Sequence, residues 1–172
     1  MERIGSRTVY EGPIASVRMD RFRHDDGTEA ERQVVSHPGA VAVIAHDDVH
    51  IYLVRQPREA VGEEVTLELP AGKLDVPGEG PLECAQRELA EEVGLAAESW
   101  EELKRFYTSP GILEEQVIVY LATGLRWVEH RPDPAERIEV APWPLDELDR
   151  AIEECDDAKS LIGMLLFRQL MR

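Results

Sequence analysis

Residues 72–95 read GKLDVPGEGPLECAQRELAEEVGL, and this stretch decides the fold of the chain. A glycine-rich loop leads into a predicted helix on which Glu88, Glu91 and Glu92 span an arc of about 100° at 100° per residue. The apolar side chains of the same helix lie on a separate stripe, formed by Leu82, Ala85, Leu89 and Val93. The pattern therefore predicts a short helix that buries one side and presents three carboxylates from another.

Three carboxylates on one helix face need a physical reason. Like charges at helical spacings of three and four residues repel each other by roughly 0.2–0.5 kcal/mol per pair. Clusters of oxygen ligands are what hard divalent cations such as Mg²⁺ require. For the segment Glu88–Glu92 alone, a solvated acidic helix face is the simpler interpretation, so the residues around it have to decide between the two.

The surrounding residues resemble the Nudix box. That motif consists of a Gly, a short gap, a Glu, seven further residues, and then the segment Arg-Glu-apolar-x-Glu-Glu-x-Gly-apolar. In this chain seven residues follow Glu79, and every specified position from Arg87 to Leu95 then matches. One position departs from the pattern, because six residues separate Gly72 from Glu79 where the box usually has five. An additional residue in a Pro- and Gly-containing loop costs little free energy, so we interpret it as a loop variant.

The resemblance implies a metal site and roles for four charged residues of the box. Glu88 and Glu92 take the positions of the principal metal ligands, and Glu91 assists them. The backbone carbonyl of Ala71, in the turn before the helix, is placed to add a ligand, and Arg87 is expected to orient the acidic cluster through a salt bridge. Mg²⁺ is the expected ion, with Mn²⁺ or another divalent cation as an alternative.

A second segment, Thr108–Glu115, reads TSPGILEE and resembles a loop of the ADP-ribose pyrophosphatase subfamily. In that subfamily the loop, Ser-Pro-Gly-x-x-Asp/Glu-Glu, supplies an acidic residue to the active site. By position, Glu115 is expected to be the general base or a further metal ligand, and Glu114 is the alternative residue for this role. Ser109 and Gly111 are expected to contact substrate. Ser-Pro-Gly is also a common turn, so it is the box that favours the functional interpretation.

Three residues before the box resemble substrate-binding positions of the same subfamily. Arg58, at the end of VRQPR (residues 54–58), is expected to approach the substrate phosphates, because a guanidinium matches phosphate oxygens. Glu68 matches a position that contacts substrate, and Arg32 matches an Arg that lines the adenosine side. Each of these is weak alone, since a single Arg is usually solvated and Glu68 also fits a residue that flanks a strand.

Composition excludes several classes of protein. A chain of 172 residues predicts one domain with a real core. The net charge of −16 argues against nucleic acid and anionic membranes as partners. The two cysteines have neither a disulfide pattern nor a metal-ligand spacing. We find neither an apolar signal core at the start nor a run of membrane-spanning length, so we expect a cytoplasmic protein.

The predicted elements indicate an α+β fold, because strands and helices do not alternate regularly. The Nudix resemblance implies a mixed β-sheet sandwiched between helices, preceded by an N-terminal antiparallel sub-unit at residues 1–37, with the catalytic domain at 38–172. Predicted strands cover 7–11, 14–24, 30–36, 40–45, 50–55, 66–69, 100–107, 116–123 and 138–141, and helices cover 145–155 and 159–171 besides the box helix.

The sequence thus predicts a Mg²⁺-dependent hydrolase that splits ADP-ribose, or a related nucleoside diphosphate sugar, into AMP and a sugar phosphate. Another sugar nucleotide, such as GDP-mannose, is the near alternative, since nothing in the sequence names the base. A Nudix module that senses a nucleotide without cleaving it is a second alternative. The subfamily resemblance also implies a homodimer in which the N-terminal strands are exchanged between chains.

Overall fold

The computed structural model describes residues 1–130 and 137–172. The chain divides into two compact units. The first unit contains Met1–Gly39 together with Phe106–Gln116, and the second contains Ala40–Arg105 together with Val117–Arg172. The first unit thus includes a segment, Phe106–Gln116, that the sequence prediction placed in the domain beginning at residue 38.

The first unit is an antiparallel sheet of three strands in the order β1-β2-β3. The strands are β1 (Glu2–Glu11), β2 (Ser16–Arg23) and β3 (Glu29–Ser36). Strand β1 begins five residues before the predicted start at Arg7, since its pairing with β2 continues to Glu2 opposite Arg23. Most of β1 is exposed, so cross-strand hydrogen bonds and not apolar alternation define its first half.

The second unit contains two sheets. Their strands are β4 Ala40–Ala45, β5 His50–Arg58, β6 Glu63–Glu68, β7 Ala71–Lys73, β8 Leu95–Tyr107, β9 Gln116–Trp127 and β10 Glu139–Pro144. A four-stranded mixed sheet has the order β7-β4-β9-β8, with β4 and β9 parallel, and an antiparallel three-stranded sheet has the order β10-β5-β6.

Helices cover both faces of β4, the buried central strand. Helix α1 (Pro81–Glu88) shares a core with Val41 and Val43, whereas α3 (Ala158–Leu170) brings Gly163 against Ile44 on the other face. The alternation of β4 side chains makes these two layers possible. The predicted α+β sandwich is therefore confirmed.

The helix of the box differs in two ways from its prediction. After Glu88 it widens into a π-helical turn, Leu89–Val93, so the spacing of 100° per residue does not hold in its second half. Leu82, predicted to be buried, is 39% exposed, and Cys84 occupies the core in its place. The predicted end of this helix at Gly94 is confirmed, because Gly94 has a φ of 75°, a left-handed conformation that favours glycine.

The C-terminal region also departs from the sequence expectation. The helix predicted at 145–155 is a 3₁₀ turn (Leu145–Glu147) followed by α2 (Leu148–Glu154). Within the described residues, no helix is both long enough and apolar enough to cross a membrane.

Candidate active site

The guanidinium of Arg87 forms hydrogen bonds with three carboxylates of the box. Its Nε and Nη2 donate to the two carboxylate oxygens of Glu79 at 2.8 and 3.0 Å, and its Nη1 donates at 2.8 Å to both Glu88 and Glu91. The hydrogen bond with Glu79 raises the pKa of Arg87, and the same bond lowers the pKa of Glu79. One guanidinium thus compensates the repulsion among three acidic side chains.

The carboxylates of Glu88 and Glu92 both meet the backbone of β7. The Oε2 of Glu92, a residue only 4% exposed, accepts a 3.0 Å hydrogen bond from the N–H of Ala71. The carboxylate of Glu88 lies so close to Gly72 that any Cβ at this position would collide with it. A glycine at position 72 thus allows the Glu88 carboxylate to lie directly against the backbone of β7.

The donor chemistry of this site suits a hard divalent cation. Carboxylate oxygens and a backbone carbonyl are the ligands that Mg²⁺ prefers, and Glu88, Glu92 and the backbone at Ala71 are close neighbours. Across residues 1–130 and 137–172, no three His, Cys, Asp or Glu side chains are arranged to hold a metal as they stand.

A second charged cluster surrounds Glu68, a residue that is 1% exposed. Its carboxylate accepts hydrogen bonds from Nε and Nη2 of Arg58 at 2.6 Å each, from Thr66 at 2.7 Å and from Lys159 Nζ at 2.6 Å. Burial raises the pKa of Glu68, but the Arg58 hydrogen bonds and Lys159 outweigh it and bring the pKa to about 2. Glu68 is thus an ionised carboxylate whose contacts hold two cations.

Arg58 connects this cluster to the acidic box. The hydrogen bond with Glu68 raises the pKa of Arg58 most, and the charges of Asp157 and Glu92 raise it further. The guanidinium is thus within electrostatic range of the predicted metal ligand Glu92. Lys159, at the start of α3, was not identified from the sequence, because no local pattern indicates that it meets a carboxylate on β6.

The first unit contains a cavity of about 550 Å³. Arg32 and Gly111, two predicted substrate-binding residues, line it, whereas Ser109 is not part of its wall. Phe22 adds an aromatic side chain that sequence reasoning missed. The other lining residues are Met1, Arg3, Arg18, Asp20, His24, Ala30, Gln33, Val34, Pro110 and Ile112–Glu114.

Glu114 and Glu115 differ in their surroundings. The carboxylate of Glu115 accepts a 2.7 Å hydrogen bond from the Thr108 hydroxyl and lies 3.4 Å from Nδ1 of His37. The carboxylate of Glu114 accepts hydrogen bonds from both terminal nitrogens of Arg18, which lower its pKa. Glu114 is therefore engaged by a cation, whereas the contacts of Glu115 are a hydroxyl and an imidazole.

In a comparison with known proteins, two domain families match this chain. The NUDIX domain matches residues 35–162, and the nucleoside diphosphate sugar hydrolase N-terminal domain matches residues 1–35. The chain is 49% identical over 128 residues to ADP-ribose pyrophosphatase of Mycobacterium tuberculosis, covering 74% of this chain and 61% of that protein. It therefore spans less than two thirds of that relative. It is 36% identical to ADP-ribose pyrophosphatase of Bacillus subtilis, covering 91% of this chain and 86% of that protein.

Among solved structures, a crystal structure of an ADP compounds hydrolase superposes with a TM-score of 0.84. The match covers 99% of this chain and 93% of that one at 23% identity, so it shows a shared fold. Members of the Nudix family generally use divalent cations, which agrees with the oxygen donors of the box. The domain match over most of the chain, the two relatives and the matching box residues from Glu79 to Leu95 together establish that this chain belongs to the Nudix family of hydrolases.

Proposed function

We propose that the chain hydrolyses the pyrophosphate bond of ADP-ribose, or of a related nucleoside diphosphate sugar, to AMP and ribose 5-phosphate or the corresponding sugar phosphate. The observation that carries the proposal is the complete acidic box, with Glu79, Glu88 and Glu91 gathered on Arg87 and Glu92 held at β7. The names of the two relatives, both ADP-ribose pyrophosphatases, support the same substrate class.

Glu88 and Glu92 would hold Mg²⁺, or Mn²⁺ in its place, with Glu91 and the carbonyl of Ala71 as further ligands. When bound, the ion would neutralise charge on the two phosphates and lower the pKa of an attacking water. Arg87 orients the carboxylates, since its bonds to Glu88 and Glu91 compensate their repulsion before any ion binds. This assignment rests on motif position together with the contacts at β7.

Arg58 is proposed to bind substrate phosphate. Glu68 is proposed to orient the guanidinium of Arg58 for that contact. The carboxylate of Glu68 is buried and accepts four hydrogen bonds from protein groups, so a direct contact with substrate is less favoured than the sequence suggested. The paired hydrogen bonds instead hold the planar guanidinium in one orientation. A fixed guanidinium loses less conformational entropy when it binds a phosphate.

The cavity of the first unit is proposed to take the nucleoside part of the substrate. Its volume falls within the range usual for small-molecule sites, about 300–1,000 Å³. Phe22 offers an aromatic face on which a base can stack, and Arg32 offers hydrogen-bond donors. Gly111 and the neighbouring Ser109 belong to the loop that carries the two candidate bases.

Glu115 is proposed as the general base, with Glu114 as the alternative. A base must be able to accept a proton, and a carboxylate bound by two guanidinium nitrogens has its pKa lowered and is a poorer acceptor. That description applies to Glu114, which Arg18 binds. The surroundings of Glu115, a hydroxyl and an imidazole, are more compatible with proton transfer.

The last two proposals concern the oligomeric state of the protein and its location in the cell. We propose a homodimer formed through the N-terminal strands of residues 1–37, in the cytoplasm, without nucleic acid or membrane partners. Val9, Tyr10 and Ile14 support the dimer, because they expose large apolar side chains in or next to the N-terminal sheet.

A substrate panel separates the hydrolase from its alternatives. The purified chain is incubated with Mg²⁺ and, separately, ADP-ribose, GDP-mannose and other sugar nucleotides, and released monophosphate is quantified. We expect the highest kcat/KM for ADP-ribose. A higher value for GDP-mannose would transfer the proposal to that substrate. Binding of a nucleotide sugar in calorimetry without turnover of any of them would support the sensing module instead.

A further inference from the structure

The loop that carries Glu114 and Glu115 is attached to the edge strand β3 by backbone hydrogen bonds. The N–H of Val35 donates to the carbonyl of Ile112 at 2.7 Å, and the N–H of Glu114 donates to the carbonyl of Val35 at 3.0 Å. Val35 and Leu113 form a parallel bridge at the same place. The loop is therefore paired with the edge of the N-terminal sheet through one isolated bridge.

A side-chain cluster reinforces this attachment. The Glu114 carboxylate accepts hydrogen bonds from Nη1 and Nη2 of Arg18 and from the hydroxyl of Ser36, which is the last residue of β3. Arg18 lies on β2, so the cluster ties the loop to two strands of the sheet. Paired guanidinium–carboxylate bonds restrict orientation as well as distance.

Asp20 anchors the other side of Arg18. Its carboxylate is 1% exposed and accepts a 2.8 Å hydrogen bond from Nε of Arg18, together with bonds from Ser6 and Arg3. Burial raises the pKa of Asp20, but these hydrogen bonds outweigh it and lower the pKa below its ordinary value. The charged side chain of Arg18 is thus held between one buried carboxylate and one carboxylate of the loop.

We propose that Arg18 is a positioning residue for Glu115. Its ion pair with Glu114, anchored by Asp20, holds the loop 109–115 in register on β3 and so sets where the carboxylate of Glu115 lies. Exposed ion pairs usually contribute little, but this pair is bidentate, and Arg18 is mostly buried with a second carboxylate behind it. The kinetic part of this inference rests on the proposed function, in which Glu115 is the general base.

The test compares Arg18→Met, Arg18→Lys, Glu114→Gln and the double variant Arg18→Met/Glu114→Gln. Two experiments are made: steady-state kinetics, giving kcat and KM for ADP-ribose with Mg²⁺, and amide hydrogen exchange of peptides covering residues 106–116. The matched control is Arg23→Met, because Arg23 forms an exposed ion pair with Glu29 between the same two strands and does not touch the loop.

We expect Arg18→Met to lower kcat by about 10²-fold, the loss typical of a misplaced catalytic group, with a smaller change in KM. Exchange within 106–116 should become faster, and Arg18→Lys should restore part of both properties. The double variant should be no worse than the more severe single variant, because both changes break one pair. Arg23→Met should leave kcat and loop exchange at wild-type values.

Three results would overturn the inference: unchanged loop exchange in Arg18→Met, a kcat within twofold of wild type, or losses that multiply in the double variant. If Arg18→Met does not fold, Glu114→Gln decides, because it leaves the Arg18–Asp20 bond intact. If Glu115→Gln keeps full activity, the proposed base is wrong. Loop exchange still decides whether Arg18 holds the loop, whichever residue is the base.

Discussion

The carboxylate of Glu68 accepts a 2.6 Å hydrogen bond from Lys159, which follows 91 positions later in the chain. Arg58 binds the same carboxylate through Nε and Nη2. The pair joins β6 to the start of α3, where Asp157 caps the helix and also binds Lys159. A residue that the family resemblance marks as a substrate contact thus also joins two elements of the second unit.

We predict that Glu68→Gln destabilises the protein at pH 7 by about 2 kcal/mol, because Gln removes the charge that compensates Lys159 and the half-exposed Arg58. The pKa of Glu68 is about 2 in the folded protein and has an ordinary value of 4.5. The folded value is depressed, so its stabilisation is complete above pH 4.5 and is lost as the pH falls towards 2. The difference between wild type and variant should shrink over that range, measured by urea unfolding at pH 3 to 7.

Glu64→Gln is the matched control, since Glu64 lies exposed on the same strand. Its effect on the free energy of unfolding should stay within about 0.5 kcal/mol at every pH. A Glu68→Gln variant as stable as wild type at pH 7 would contradict the assignment of Glu68 as an anchor for Arg58 and Lys159.

We predict that Glu88→Gln and Glu92→Gln each lose at least about 100-fold in kcat/KM, beyond the 10–100-fold typical of outer-shell partners. Both changes keep the side-chain shape and remove a negative charge that the cation needs. A titration of activity against Mg²⁺ should show a weaker apparent metal affinity, and melting temperatures without metal should show that both variants fold.

Glu83→Gln is the control for the metal site. Glu83 lies on α1 outside the cluster and accepts a hydrogen bond from the N–H of Gly80 at the helix start. Gln serves equally well at this capping position, so activity should be retained. Near-wild-type turnover in both Glu88→Gln and Glu92→Gln would refute the metal-site assignment.

We predict that Glu115→Gln lowers kcat by about 10²–10⁴-fold, the usual contribution of a general base, with a smaller effect on KM. Glu114→Gln should lower kcat less than Glu115→Gln, because it weakens the pair with Arg18 that positions the loop but leaves the proposed base in place. Steady-state kinetics with ADP-ribose and Mg²⁺ compare the two. A large loss of kcat in Glu114→Gln with a small loss in Glu115→Gln would assign the general base to Glu114. Small losses in both variants would mean that neither residue is the base.

We predict a dimer in solution. Light scattering at micromolar concentration should give twice the mass of one chain, because the N-terminal sheet exposes large apolar side chains such as Tyr10. A fully active monomer would reject a substrate pocket shared between chains, and Arg32 would then have to act within its own chain.

Most of the second unit was predictable from local patterns. The apolar run 40–45 gave the buried strand β4, and Pro81 and Gly94 correctly bounded the helix of the box. The exposure of Leu82 and the π-helical turn were not predictable, since a regular helical wheel assumes one constant turn angle. Cys84 packs in the core together with Ala85, Leu89 and Val93, whereas Leu82 does not.

The cluster of Arg18, Asp20 and Glu114 could not be predicted from the sequence for a different reason. Arg18 and Glu114 are separated by 96 positions, and neither stands in a pattern that names the other. Asp20 reads as one more polar residue of an alternating strand, although the fold buries it. Motifs identify residues by spacing along the chain, whereas these pairs depend on how strands and loops meet.

Product analysis tests the central claim most directly. ADP-ribose is incubated with the chain and Mg²⁺, and in parallel with EDTA, and the products are followed by phosphorus NMR and chromatography. Hydrolysis of the pyrophosphate bond predicts AMP and ribose 5-phosphate in equal amounts with Mg²⁺ and no turnover with EDTA. Products in which the pyrophosphate is intact, such as ADP and ribose, or equal turnover with EDTA, would contradict the account.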